Sequence, residues 1–138
     1  MKIILLFIFL IPLLATCQPF KIKEVRIRHV NVNNYAFYDI HAVLIAKKGA
    51  ETFNIDSLLL NQITSNGLKV SVLGKSLLAS DFVKGDSVLI QCNVPVADSL
   101  QNSSISLYYH INKKPDKPKH VSLENFKILS GIIYQNNQ

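Results

Sequence analysis

Asp39 and His41, an acid and an imidazole two residues apart, come closest in this sequence to a hydrolytic pair. On a β-strand, residues i and i+2 point to the same face, so the two side chains would lie side by side. An aspartate that orients a histidine can help to activate a serine for attack on a carbonyl. No nucleophile elbow of the G-x-S-x-G type accompanies the pair. The sequence therefore favours a solvated strand face, and a small hydrolase is kept as the alternative.

The other reactive side chains lack the spacing that a known chemistry requires. The four histidines are far apart and have no metal-ligand spacing: His29, His41, His110 and His120. The sequence Gly74-Lys75-Ser76 matches the end of a phosphate-binding loop, but Lys69 stands where that loop needs its first glycine. We therefore predict no metal, no cofactor and no enzymatic activity.

Cys92 lies in a segment where apolar and polar residues alternate, and it shares the apolar face with Ile90 and Val94. Unpaired cysteine is among the residue types most often found fully buried. A nucleophilic cysteine would need a neighbour that lowers its pKa, and the apolar neighbours here do not provide one. We expect an inert thiol in the core.

Basic residues form two groups, and the protein carries a net charge of +6. The first group is Lys21, Lys23, Arg26 and Arg28, and the second is Lys113, Lys114, Lys117 and Lys119. The first group is typical of the solvent face of a strand, whereas the second lies in a Pro- and Lys-rich loop. Such a charge suits solubility, an anionic cell surface or acidic glycans. Since no reading helix or interleaved aromatic residues accompany it, we predict no nucleic-acid partner.

Ser106, Tyr108 and His110 alternate with apolar residues and lead directly into that lysine loop. An exposed tyrosine beside histidine and lysine can stack on a sugar or dock a partner protein, and long loops of β-domains often carry binding sites. The sequence thus predicts a ligand-binding surface formed by Tyr108, His110, Lys113, Lys114, Lys117 and Lys119. We call Ser106, Tyr108 and His110 the stripe. The alternative to a simple binding module is a carbohydrate-active accessory domain centred on this stripe.

Residues 1–17 have the three parts of a secretory signal. Lys2 gives the positive start, Ile3–Leu14 is apolar apart from Pro12, and Ala15-Thr16-Cys17 is the small-residue exit. The apolar run is shorter than the roughly 20 residues that a membrane span requires. The sequence therefore predicts an exported protein with residues 18–138 as its single domain.

Leu14-Ala15-Thr16-Cys17 resembles the lipobox of bacterial lipoproteins, in which the cysteine is acylated and becomes the first residue. The resemblance implies a lipid anchor at Cys17 that holds the protein on a membrane, in the periplasm or on the outer membrane or cell surface. Two alternatives remain open. Cleavage after Cys17 would release a secreted protein, and cleavage further upstream would leave Cys17 for a disulfide with Cys92, if their Cα atoms lie within about 7 Å.

Hydrophobic residues at a period of two dominate residues 18–138 and predict half-buried strands. Two changes of parity between residues 20 and 32 indicate bulges or breaks. Tyr38–Ala46 is apolar at both parities, which is typical of a central strand covered on both faces. Residues 56–62 have helical spacing and predict a single helical turn, and Asn66-Gly67 predicts a hairpin turn.

About seven or eight short strands separated by turn residues predict an all-β protein, an antiparallel β-sandwich. The arrangement resembles an immunoglobulin-like module without the cysteine pair and the core tryptophan of antibody domains. This is a likeness of layout over residues 18–138. It implies a binding or accessory module whose partner is an unidentified protein or glycan.

Overall fold

The structure is a computed structural model that describes residues 18–76, 81–96, 100 and 103–135. The predicted signal sequence and its Cys17 lie outside the described residues. Within them every regular element is a β-strand, and no helix is long and apolar enough to cross a membrane. The strands are β1 Phe20–Val32, β2 Tyr35–Ala46, β3 Phe53–Leu60, β4 Ile63–Thr64, β5 Asn66–Val72, β6 Ser87–Pro95, β7 Ile105–Ile111, β8 Lys119–Leu123 and β9 Lys127–Tyr134.

The strands form two sheets packed as a sandwich, which confirms the predicted fold class. Sheet A has the order β5-β6-β2-β1-β9 and sheet B the order β4-β3-β7-β8. In immunoglobulin domains the strands, lettered A to G along the chain, have the order A-B-E-D in one sheet and C-F-G in the other. The orders β1-β2-β6-β5 and β3-β7-β8 reproduce these two sheets. β4 and β9 are additions at the sheet edges, and β9 runs parallel to β1 while the other described pairs are antiparallel.

The described residues contain nine strands rather than seven or eight, because the C-terminal segment divides between the sheets. β8 pairs with β7 in sheet B, and β9 pairs with β1 in sheet A. Asn125 lies between them with a φ of 57°, a left-handed conformation that asparagine adopts more readily than most residues. The parity change predicted near Phe126 thus marks the point where the chain crosses to the other sheet.

Of the two parity changes in β1, only the first is a bulge in its pairing with β2. The β1–β2 register shifts between Ile22 and Glu24 and then runs unbroken to Val32. The second parity change coincides with a register shift between Arg28 and Val30 in the pairing of β1 with β9, so the predicted irregularity is present on that side. Val30 and Val32 lie on the face of sheet A that points away from sheet B.

The helical turn predicted for residues 56–62 was wrong, because β3 continues to Leu60. The register against β7 shifts between Ile55 and Ser57, and this bulge inserts one extra residue into the strand. A strand with one inserted residue has apolar side chains three apart on one face, which imitates helical spacing. Asn61 and Gln62, with φ of 50° and 68°, then make the turn to β4.

The hairpin turn predicted at Asn66-Gly67 was also wrong, since both residues belong to β5. The register against β6 shifts between Asn66 and Lys69, and Gly67 has a φ of 61°. A glycine in this conformation is a common first residue of a β-bulge. This dipeptide therefore kinks a strand instead of reversing the direction of the chain.

The core lies between the sheets and contains a cluster of aromatic rings around Phe53. Phe53 of β3 lies 5.6 Å from Phe20, 5.0 Å from Phe82 and 6.5 Å from Tyr109, measured between ring centroids. Such tilted and edge-to-face contacts stabilise a core beyond the area they bury. Cys92 is 3% exposed, as predicted, and its burial raises the pKa of the thiol.

β2 is central in sheet A, as predicted, but only one of its faces is covered. Its core face is buried: Tyr38, Ile40, Ala42, Leu44 and Ala46. The residues of the opposite face, from Phe37 to Ile45, are half-buried, because neighbouring side chains of β1 and β6 shield them, and no third layer of described residues covers them. The prediction of burial on both faces was wrong for the described part of the chain, which leaves the outer face of sheet A open.

Candidate functional site

The predicted stripe lies on the outer face of sheet B, but two of its three side chains, Tyr108 and His110, are already engaged. Ser106, Tyr108 and His110 are half-buried on β7. The Tyr108 ring stacks on His120 of β8 at 5.4 Å with an interplanar angle of 28°. His110 Nδ1 lies 2.6 Å from Asp56 Oδ1. The stripe is therefore part of a set of contacts within the protein rather than a row of free groups.

The predicted lysines are all exposed, and one of them, Lys119, lies on the opposite face of sheet B from Tyr108. Lys113, Lys114 and Lys117 lie in the loop between β7 and β8, whose base is held by a 2.9 Å hydrogen bond from Asn112 Nδ2 to the Ala50 carbonyl. Lys119 pairs with Tyr109, whose side chain points to the core. Paired residues share a face, so Lys119 projects away from the face that carries Tyr108.

A second polar surface lies on the outer face of sheet A, and sequence reasoning did not identify it. Strand register places its side chains in two adjacent rows that cross all five strands. We call these rows the polar band: the first is Lys69, Gln91, His41, Arg26 and Lys127, and the second is Asn66, Asn93, Asp39, Arg28 and Leu129. Groups from distant parts of the chain thus become neighbours on a rigid sheet.

The centre of the polar band is a recess of about 220 Å³ lined by Arg26, Arg28, Asp39, His41 and Leu129. Asp39 Oδ2 lies 3.1 Å from His41 Nε2, so the two residues share a face as predicted. Turned with its nitrogen toward β2, the Asn93 amide donates to Asp39 Oδ1 at 3.2 Å. The floor of the recess is therefore a connected set of donors and acceptors.

The two arginines of the recess differ in their partners. Arg26 Nη2 donates to Glu24 Oε2 at 2.8 Å, and Lys127 Nζ approaches the other oxygen of Glu24 at 3.4 Å. The hydrogen bond from Arg26 lowers the pKa of Glu24. Arg28 has no hydrogen bond or ion pair to any described residue, and its Nε atom is buried without a partner. Arg28 is therefore the cation of the recess that is available to a ligand.

Apolar rows border the polar band on both sides. Val43 and Leu89 lie on one side, on β2 and β6. On the other side Val30 pairs with Phe37 and with Ile132 of β9. Val30 is only 7% exposed although it does not belong to the core cluster, so these outer residues form a small apolar patch of their own.

Two tyrosines extend this apolar patch at the end of the sheet. Tyr35 and Tyr134 both pair with Val32 and are 60% and 54% exposed. The Tyr35 ring lies 5.9 Å from that of Phe37, tilted by 39°. The outer face of sheet A therefore combines polar groups, an unpaired guanidinium and accessible aromatic rings.

The described residues give His41 neither a cluster of metal ligands nor a hydroxyl partner. Within the described residues, no group of three or more His, Cys, Asp or Glu is placed to hold a metal ion. In that part of the chain no hydroxyl or thiol is hydrogen-bonded to His41, whose Nε2 is also 3.5 Å from Gln91 Nε2. Searches against family models, curated proteins and solved structures find no match to this chain.

Proposed function

We propose that this protein is an exported, non-enzymatic binding module of the cell envelope, anchored by lipid at Cys17, and that it binds its ligand on the outer face of sheet A. One observation carries the choice of surface: the recess in the polar band contains an arginine whose guanidinium has no partner among the described residues. The signal sequence and the lipobox-like residues 14–17 support export and anchoring.

The unpaired guanidinium favours binding for an energetic reason. A buried donor without a partner costs roughly 1–3 kcal/mol, and more where the group is charged. Because Arg28 lines the recess, a ligand acceptor there would form a charge-assisted hydrogen bond without first displacing another described residue. The recess is also formed by β1, β2 and β9, so its side chains stand on paired strands and little ordering is needed on binding.

The Asp39–His41 pair supports binding over hydrolysis. The two side chains are 31% and 40% exposed, whereas the aspartate of a Ser-His-Asp triad is buried. A small hydrolase or a carbohydrate-active accessory domain is the alternative. Turnover of ester, peptide or glycoside substrates that disappears in His41→Ala while binding persists would favour that alternative.

A second candidate for binding an anionic partner protein or glycan is the part of sheet B formed by Tyr108, His110 and the loop lysines Lys113, Lys114 and Lys117. We call it the Tyr108 surface. Its support is that Lys113, Lys114 and Lys117 are exposed and form no ion pair with other described residues. Binding at this loop should weaken as salt rises, because exposed charges are screened beyond roughly 8 Å at physiological ionic strength. Tyr108→Ala should weaken it further.

Anchoring is tested by the mass and location of the mature protein. Acylation predicts that the chain begins at Cys17, carries the mass of lipid and sediments with membranes. Cys17→Ser should abolish the lipid mass and release the protein or halt its processing. An intact mass that corresponds to an unmodified chain beginning at Gln18 would refute the anchor.

The choice of surface is tested by capturing partners from native envelope with the purified protein. Arg28→Gln should reduce capture, while Lys113→Gln removes one charge from the loop beside sheet B and serves as the matched control. Thermal unfolding of both variants verifies that each is folded. Capture that is lost in the lysine variant and retained in the arginine variant would move the site to the Tyr108 surface.

A further inference from the structure

We infer that the ligand of the sheet A face is an acidic oligosaccharide, one that carries a carboxylate and several hydroxyl groups. The inference deepens the proposed function and rests on it. It depends on three features of the outer face: the unpaired Arg28, the amide and carboxylate groups beside it, and the aromatic rings further along β2.

The carboxylate of this ligand would bind at Arg28. A guanidinium presents a planar fork of donors that matches the two oxygens of a carboxylate, and such charge-assisted pairs are among the strongest hydrogen bonds in proteins. The Arg28 side chain lines the recess, and its guanidinium has no hydrogen bond or ion pair to another described residue. Arg26 and Lys127 of the adjacent row add positive potential, although Glu24 already occupies both of them.

Asp39 narrows the class of anion. It pairs across strands with Arg28 and lines the same recess, so the recess contains a negative charge beside the available cation. A group that places two negative charges at one point, such as a phosphate monoester, would be repelled by this carboxylate. A sugar unit with one carboxylate next to hydroxyl donors would satisfy Arg28 and Asp39 together. Sugar acids have this combination.

The amides beside Asp39 suit the hydroxyls of such a ligand. Gln91 and Asn93 of β6 pair with His41 and Asp39, so their amides stand in the same two rows. Each amide offers both a donor and an acceptor, and a sugar hydroxyl needs both. These groups reach across three adjacent strands, which is enough to contact several hydroxyls of one ring.

The aromatic rings suit the next sugar units along the face. Phe37 and Tyr35 precede Asp39 on the same face of β2 by two and four residues, so at about 3.3 Å per residue they lie about 7 and 13 Å away. Aromatic side chains offer an apolar face with a polar edge, as Tyr35 does with its hydroxyl. A chain of sugar units running along β2 would therefore meet the recess first and the rings next.

The experiment is isothermal titration calorimetry of the purified protein, with its native N-terminus, against trigalacturonate and its methyl ester. The acid should bind and the ester should bind roughly tenfold more weakly, because loss of one charged hydrogen-bond pair costs about that factor or more. Arg28→Gln should weaken binding of the acid by a similar factor. Tyr35→Ala should weaken binding of the trimer but leave galacturonate monomer unchanged.

Two matched variants separate recognition from net charge and folding. Arg28→Lys retains the charge but loses the planar fork, so it should remain several-fold weaker than the original protein. Lys84→Gln, at an exposed position outside both candidate surfaces, changes net charge as Arg28→Gln does and should bind as the original protein does. Unfolding midpoints of all variants verify that losses of affinity are not losses of fold.

The outcomes distinguish the inference from the proposed function. Equal affinity for acid and ester, or an Arg28→Gln variant that binds normally, would overturn the acidic sugar as ligand. If no oligosaccharide binds while envelope capture still depends on Arg28, the inference fails and the proposed function stands. If capture is also independent of Arg28, both fail.

Discussion

The outer faces of the two sheets carry similar side chains and differ in how those side chains are satisfied. On sheet B the Tyr108 ring is stacked on His120 and His110 is joined to Asp56. On sheet A the polar band also contains charged and amide side chains, yet the guanidinium of Arg28 has no partner among the described residues. Residue type alone therefore does not identify a binding surface. What matters is which polar groups the fold leaves without a partner.

The two faces also differ in width. Sheet A has five strands, so a polar row can cross it with five side chains. Sheet B has four, and its edge strands β4 and β8 have two and five residues. The wider face offers a continuous surface to an extended ligand, whereas the narrower one ends within a few residues of Tyr108.

The largest expected effect concerns β6, the strand that has polar residues of the band on one face and core residues on the other. Cys92 should react with a thiol reagent at least about a thousandfold more slowly in the native protein than in denaturant, because labelling requires unfolding. Labelling kinetics with and without urea measure this ratio. Fast labelling of the native protein would mean that β6 has its faces reversed, and the polar band would not exist.

The next effect separates the core and outer faces of β7. Tyr109 is 4% exposed, so Tyr109→Ala should lower the free energy of unfolding by about 3–5 kcal/mol. Tyr108→Ala removes only the stack on His120 and should cost about 1 kcal/mol. Urea unfolding curves measure both values. A reversed order would exchange the two faces of the strand and remove the Tyr108 surface as a candidate.

A smaller effect is expected at the turn that aligns β1 with β2. Asn34 has a φ of 69°, a conformation that costs a β-branched residue about 1–3 kcal/mol. Asn34→Val should lower the free energy of unfolding by that amount, whereas Asn34→Gly should be close to neutral. Urea unfolding compares the two variants. A valine variant as stable as the glycine variant would show that this turn does not set the register that brings Arg28 beside Asp39.

The smallest effect is the acid dependence of the polar band. The folded protein lowers the pKa of Glu24 through its hydrogen bond to Arg26, so the contribution of Glu24 to stability is present above its unfolded pKa. That contribution is lost as pH falls through the lowered pKa of the folded state, below the ordinary glutamate value of about 4.3. Unfolding measured from pH 6 to pH 2.5 should be less acid-dependent in Glu24→Gln. An unchanged slope would show that Arg26 is not held by Glu24.

The sequence alone predicts the strands that are regular and fails where a strand contains an extra residue. β6 and β7 alternate without interruption, so their buried and outward faces, including Cys92 and Tyr109, were predicted correctly. The bulge after Ile55 imitates helical spacing, and the bulge at Gly67 imitates a turn. These errors share one cause. A bulge changes the hydrophobic period locally, and only the partner strand shows that the extended conformation continues.

For the candidate site, too, the sequence predicts some features and the tertiary structure supplies the others. The pairs Arg26 with Arg28, Asp39 with His41, and Gln91 with Asn93 are each visible in the sequence as residues i and i+2 of a strand. Their chemistry and shared faces follow from the period of two.

The turn at Asn33 and Asn34 even indicates that the first two of these pairs are adjacent, because a two-residue hairpin sets the register across it. The other neighbour of β2, strand β6, cannot be predicted in this way. β6 follows β2 only after forty residues of chain, through strands of both sheets, and no local signal places Gln91 beside His41. Whether Arg28 finds a partner depends on every side chain around it. Sequence thus determined which groups the outer face carries, and the tertiary structure alone decided which of them a ligand can use.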